Sequence, residues 1–310
     1  APSGRAAVVC RSAPAEVALW DLAAGQRLRV WPVGLAVTRL ALSPDGKRLA
    51  VAGAGPGAGA LWAAADGRPV AALSPPAGVA LTAFAFSPDS LWLAAAGSDG
   101  AVRVWNTSTG GLRATLPGHA GPPWALAASP DAMRLAVLDP RGAVALWDTQ
   151  TAQWQAALTP GCRPAALSFA PEARTAPLAV GCQDGAVEVW EPAAGRLRAT
   201  LTGLTEPVSA LAISPDGTRL AASGGGQLQV WEIGPGQAPL TLVSGENPVL
   251  VLGISAEGAR LWMADSAGRV RVFLNQPADL LALARQRVTR PLTSAECRQY
   301  LHHACAELNP

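Results

Sequence analysis

A short apolar segment ending in an aromatic residue recurs seven times in this 310-residue chain. The aromatics are Trp20, Trp62, Trp105, Trp147, Trp190, Trp231 and Phe273, spaced 42, 43, 42, 43, 41 and 42 residues apart. Between them lies a second landmark, a turn of the form S-P-D-G. It reads Ser43-Pro44-Asp45-Gly46, Ser87-Pro88-Asp89, Ser129-Pro130-Asp131 and Ser214-Pro215-Asp216-Gly217, with weaker forms at Ala170-Pro171-Glu172 and Ser255-Ala256-Glu257-Gly258. A unit repeated this regularly is one supersecondary motif that cannot bury its apolar face alone and must stack on its neighbours.

Each unit reads as four short strands. In the one ending at Trp105, LTAFAF (81–86) precedes the S-P-D turn and LWLAAAG (91–97) follows it. Ser98-Asp99-Gly100 then turns into AVRVW (101–105), and Gly110-Gly111 leads to an outer strand, LRATL (112–116). Pro and Gly at the turns fit short antiparallel strands. Strand periodicity alone would allow a sandwich, but the interval near 42 points to four-stranded blades around an axis.

With two landmarks recurring in phase over residues 1 to about 275, the chain resembles the WD40 family. That resemblance implies an all-β, seven-bladed WD40-type β-propeller over 1–275, followed by a short C-terminal helical tail over 276–310. One departure stands out: no blade carries the family's full His–Ser–Asp–Trp set. Asp99 and Asp184 occupy the Asp place, Arg141 and Ala267 replace it elsewhere, and His119 has no Asp partner at its blade's turn. Blade stability is therefore expected to rest on apolar packing between sheets. Ala1–Arg5 aligns with the turn at 43–47, so blade one is expected to lack its inner strand.

In the tail, Leu280, Leu281, Ala284 and Val288 have helical spacing, and Thr293-Ser294-Ala295-Glu296 has the form of a capping box. Helices are expected near 278–288 and 294–303. The segment ADLLALARQRVTRPLTSAECRQYL resembles tails that follow WD40 repeats in large bacterial proteins. That likeness implies a sensor module of a signalling or defence protein, attached to an upstream effector: a NACHT-type ATPase, a caspase-like protease or a kinase.

Composition excludes several classes. Net charge is +2 with no basic cluster, so neither nucleic acid nor an anionic membrane surface is an expected partner. No apolar run approaches the roughly 18–20 residues that span a bilayer. Lys47 is the only lysine, and with abundant Ala, Gly and Pro this fits GC-rich coding and a bacterial source. The five cysteines, Cys10, Cys162, Cys182, Cys297 and Cys305, are sparse and irregularly spaced. A cytoplasmic setting follows, with Cys162 and Cys182 as two separate buried thiols. The cluster Cys297, His302, His303 and Cys305 is poorly spaced for a tetrahedral metal site, and no metal or cofactor is expected.

Signals for catalysis are absent. The chain has no G-x-x-x-x-G-K, H-E-x-x-H or G-x-S-x-G motif, and Gly55, Gly57 and Gly59 read as a lengthened turn. A protein-interaction module, not an enzyme, is the expected function. The alternative is a propeller enzyme or small-molecule binder using the mouth of the central channel. Six of the eleven tryptophans hold the repeat position, but Trp124 falls two residues before Leu126 of an inner strand, where the family aims side chains at the narrower top face. Thr38, Thr82, Ala165, Ser209 and Leu250 hold that place in other blades, while Ser98, Pro140 and Gln183 precede or occupy the turn between the second and third strands. Trp124, Arg163, Gln183, Leu250, Pro140 and Ser98 are thus the candidate partner-binding residues, for a protein partner or upstream domains of the same polypeptide.

Overall fold

A computed structural model describes residues 5–10, 16–21, 26–34, 36–53, 59–117, 119, 121–171, 177–233, 240–244, 247–255, 258, 260–266 and 269–274. The chain divides into two units, Ala1–Phe273 and Leu274–Pro310. The regular elements of the first are all strands among its described residues. The second lies outside them apart from Leu274, so the expected helices and the Cys297, His302, His303 and Cys305 cluster are not described.

The strands form sheets in chain order, each antiparallel and each pairing only consecutive strands. The first has three: β1 (Arg5–Cys10), β2 (Glu16–Asp21) and β3 (Gln26–Pro32). Five four-stranded sheets follow: β4 (Val37–Leu42), β5 (Arg48–Gly53), β6 (Gly59–Ala63) and β7 (Pro69–Ala72); β8 (Leu81–Phe86), β9 (Trp92–Gly97), β10 (Val102–Asn106) and β11 (Leu112–Leu116); β12 (Ala125–Ala128), β13 (Arg134–Leu138), β14 (Val144–Asp148) and β15 (Trp154–Leu158). Then come β16 (Pro164–Phe169), β17 (Leu178–Cys182), β18 (Val187–Glu191) and β19 (Arg196–Leu201); and β20 (Val208–Ile213), β21 (Arg219–Gly224), β22 (Gln227–Glu232) and β23 (Leu240–Ser244). The last has three: β24 (Val249–Ile254), β25 (Arg260–Asp265) and β26 (Val270–Leu274). First strands of successive sheets lie side by side, the arrangement of a β-propeller.

Burial explains the strand sequences. Strands β5, β9 and β17 are buried on both faces because a sheet packs against each side, so they read as unbroken Leu, Ala and Val. Outer strands such as β11 and β19 are mostly exposed and bury only their last leucine. The recurrent tryptophan fills the space between sheets: Trp105 packs with Ala50, Leu61 and Leu73 of the preceding sheet, and Trp231 with Val187 and Val189.

The expectation of a seven-bladed ring is corrected by the cores between the sheets, while the expected helical tail lies outside the described residues. Among the described residues there is no helix, only five sheets have four strands, and the apolar cores between sheets number six. The count that the cores support is six.

The S-P-D-G turns are built by a buried serine. Ser43 Oγ donates to Asp45 Oδ1 (2.6 Å) and accepts from Arg48 N (2.8 Å), while Asp45 Oδ1 accepts from Lys47 N (3.0 Å). The same bonds recur at Ser87, Ser129 and Ser214. The fourth turn residue is left-handed, which suits Gly46 (φ 71°) and Gly217 (φ 71°) but not Ala132 (φ 57°). Ala132→Gly relieves that strain, against a smaller loss of chain stiffness in the unfolded state. We expect a stability gain of about 0.5–1 kcal/mol in urea unfolding. A destabilised A132G would contradict this account of the turn.

Candidate functional site

Five of the seven first strands carry a bulge at one recurring place near their start. Register shifts fall between Val37 and Arg39, Leu81 and Ala83, Pro164 and Ala166, Val208 and Ala210, and Val249 and Val251. The extra residues are Thr38, Thr82, Ala165, Ser209 and Leu250, and Trp124 holds the same place just before β12. A bulge re-aims its side chain out of the regular ladder, so the five bulged side chains are redirected in the same way.

Hydroxyls there bind sheet to sheet. Thr82 Oγ1 donates to Ala96 O of its own sheet (3.3 Å) or to Pro123 O of the next (3.2 Å). Ser209 Oγ bridges Ser223 O (3.1 Å) and Val249 O (2.7 Å) in the same manner. Trp124 and Leu250 have no such donor and stand 48% and 56% exposed. Trp124 is fixed through its backbone, its N–H donating to Leu138 O (3.0 Å).

The turns between second and third strands come up beside these lead-ins. Gln183 N donates to Arg163 O (2.9 Å), joining two of the candidates. In the preceding sheet but one, Ser98 N donates to Ala80 O (2.8 Å) and Ala80 N to Ser98 Oγ (3.0 Å). Neighbouring sheets touch here as well. A side chain on Gly142 would press Pro164, and one on Gly185 (φ 87°) would overlap the Leu204 carbonyl, so both turns need glycine. Pro140 lies against Gly121 in the lead-in to Trp124. The structure thus brings Trp124, Pro140, Arg163 and Gln183 onto two adjoining sheets and Ser98 onto the one before. Leu250 is not among them, because the whole β20–β23 sheet separates it from Arg163 and Gln183, the nearest of these.

In three sheets one buried polar residue takes over part of the missing tetrad. Two residues before the repeat tryptophan, Arg103 forms a two-pronged pair with Asp99 (Nη2 to Oδ2 2.6 Å), which holds the Asp99 carboxyl below the usual range. At the same place Glu188 accepts from Trp190 Nε1 (2.9 Å) and Gly161 N (2.9 Å). Gln229 Nε2 donates to Gly203 O (3.1 Å). Where that residue is Ala145 or Ala60, the indole N–H of Trp147 or Trp62 has no partner among the described residues.

The structure corrects one expectation and adds one feature. Cys162 and Cys182 are joined in a disulfide, with Cα atoms 5.8 Å apart, which corrects the expectation of separate thiols. The odd cysteine count and wide spacing hid it, yet both residues sit at the same end of one sheet. Their sulfurs and the Glu188 carboxylate lie within 4.8 Å of one another, the one such donor group among the described residues. With the sulfurs bonded to each other, no thiolate is free to ligate a metal. The added feature is Leu91 and Met133, exposed at equivalent places in the S-P-D turns, at the opposite strand ends from Trp124. Their shared position after the turn is the signal that could have found them.

The channel mouth offers little chemistry. Arg39 is the only charged residue on β4, β8, β12, β16, β20 and β24, and its guanidinium is spent on Thr82 O (2.7 Å) and Thr38 O (2.9 Å). Of the glycines read as a lengthened turn, Gly59 is in β6, and Gly55 and Gly57 lie outside the described residues.

His119 packs on Trp147, ring centroids 5.7 Å apart, with Nε2 buried and unpartnered among the described residues. Burial lowers its pKa below the usual 6.5, and the charge of Asp139, two places before Arg141, opposes that shift without a hydrogen bond. The unfolded chain therefore takes up this proton more readily, so stability is present above pH 6.5 and lost as the pH falls below it. Between about pH 7.5 and 5.5, His119→Gln should lose less stability than wild type in urea unfolding. Equal losses would refute the assignment.

Comparison with known proteins gives one family. The WD domain, G-beta repeat, matches residues 67–106 and 195–232. Each matched stretch runs from the outer strand of one sheet to the end of the third strand of the next, taking in Trp105 and Trp231. No curated protein matches the chain. The two matches, with the order of the sheets, support a WD40-type β-propeller, a fold that commonly serves as a protein-interaction scaffold.

Proposed function

We propose that the end of the propeller carrying Trp124 recognises a protein partner and that the chain works as a non-catalytic interaction module. One observation carries this reading: a large ring stands half exposed at a place where Thr82 and Ser209 tie sheets together. A rigid aromatic gives much contact area for little lost rotamer entropy. Covering about 100 Å² of it would supply about 2.5 kcal/mol. Arg163 on the adjoining sheet offers a forked donor to a carboxylate or backbone carbonyl, and Gln183 adds an amide.

The finer reading is of a sensor in a bacterial, cytoplasmic signalling or defence protein with an upstream effector. It rests on the resemblance of residues 278–301, which are not described, and stands on that likeness alone.

A phage-displayed library of random peptides tests the site without a known partner. Peptides enriched on wild type should bind Trp124→Ala about thirtyfold more weakly, a loss of about 2 kcal/mol, while the melting temperature stays unchanged. Unchanged binding with a lowered melting temperature would make Trp124 a packing residue and place the interface elsewhere.

A further inference from the structure

We infer that Cys162–Cys182 is a reversible thiol–disulfide site that sets the rigidity of the Arg163–Gln183 corner, and so, on the reading above, the affinity of the partner-binding end. The bond ties the lead-in of β16 to the last residue of β17. Arg163 follows one cysteine directly and Gln183 follows the other, and the two are joined by the Gln183 N to Arg163 O bond. A crosslink placed one residue from both candidate contact residues acts on them before anything else in the fold.

Access is one-sided. Cys182 is fully buried, whereas Cys162 is only partly so. A thiolate therefore meets the Cys162 sulfur first. The reductant is a dithiol, either a small molecule or a protein of the CxxC kind. Its thiolate attacks Cys162 Sγ, the S–S bond breaks, and the Cys182 sulfur leaves with the electron pair and takes up a proton. The second thiol of the reductant then displaces Cys162 from the mixed disulfide. Two electrons pass to the protein, which ends as two thiols, and the reductant ends as its own disulfide.

Reduction does not unfold the sheet. Pro164 still pairs with Cys182 in the strand register, Gly161 N still donates to Glu188 Oε1 (2.9 Å), and Pro164 still seats against Gly142. What is lost is the covalent limit on local opening between those anchors, which is where Arg163 lies. The change is confined to one corner and is reversible.

The experiment combines alkylation, hydrogen exchange and the selected peptides, all on the full chain. Without reductant, mass mapping after iodoacetamide should leave Cys162 and Cys182 unmodified; after dithiothreitol both should be labelled. Reduction should speed exchange of the Gln183 amide about tenfold and leave the Ser98 amide, its counterpart in a sheet without cysteines, unchanged. Cys162→Ser should exchange at the fast rate with or without dithiothreitol, and reduced wild type should bind the peptides about tenfold more weakly. Labelling of both cysteines without reductant overturns the inference, as does Gln183 exchange that ignores reduction. If Trp124→Ala abolishes peptide binding but reduction leaves it untouched, the site stands and its control by the disulfide fails. If exchange responds to reduction but Trp124→Ala binds normally, the redox site stands and the binding face is lost.

Discussion

Everything in this molecule depends on apolar burial between sheets. Second and third strands such as β9 and β10 are covered on both faces, and a lone four-stranded sheet would expose both rows. Neighbouring sheets supply the cover, so each sheet's stability is borrowed from the next. The alanines of β9 let sheets approach closely, and the repeat tryptophan fills the wider space where strand three ends. Directional bonds then fix the angle and order that burial leaves open. The serine-aspartate turns do this at one end, and Thr82, Ser209, Asp99–Arg103 and Cys162–Cys182 do it at the other.

Those locks are not alike, and the difference bears on function. Where a sheet-to-sheet tie is a hydroxyl to a carbonyl, the bulged residue is small and occupied. Where that tie is given up, as at Trp124, the side chain is free to meet something outside the chain. Arg103 and Glu188 show the same economy inside the sheets, since a buried charge persists only with donors or a counter-charge aimed at it.

Much of this was legible in the residues. The period near 42 located the strands, and the S-P-D-G landmark located the turns, because buried serine and left-handed glycine leave a local signature. The lead-in alignment also placed Trp124 with Thr38, Thr82, Ala165, Ser209 and Leu250, and in the last five a bulge is the geometric reason they share a place. Contacts between distant residues were not legible. Cys162 and Cys182 are 20 residues apart with nothing local to pair them, and Asp99 found Arg103 where a histidine was sought. The ring count failed for a related reason: seven aromatics counted repeats along the chain, whereas blades are completed by packing between sheets, and six such cores are described.

Exposed apolar side chains lie at both strand ends, among them Trp124 at one and Leu91 with Met133 at the other. Photo-crosslinking separates them most directly. A benzophenone amino acid at position 124 and, in a second protein, at position 91 is irradiated with a bound library-selected peptide. The account predicts a crosslinked product from 124 and none from 91. Crosslinking from 91 alone would put the partner on the turn end and contradict it.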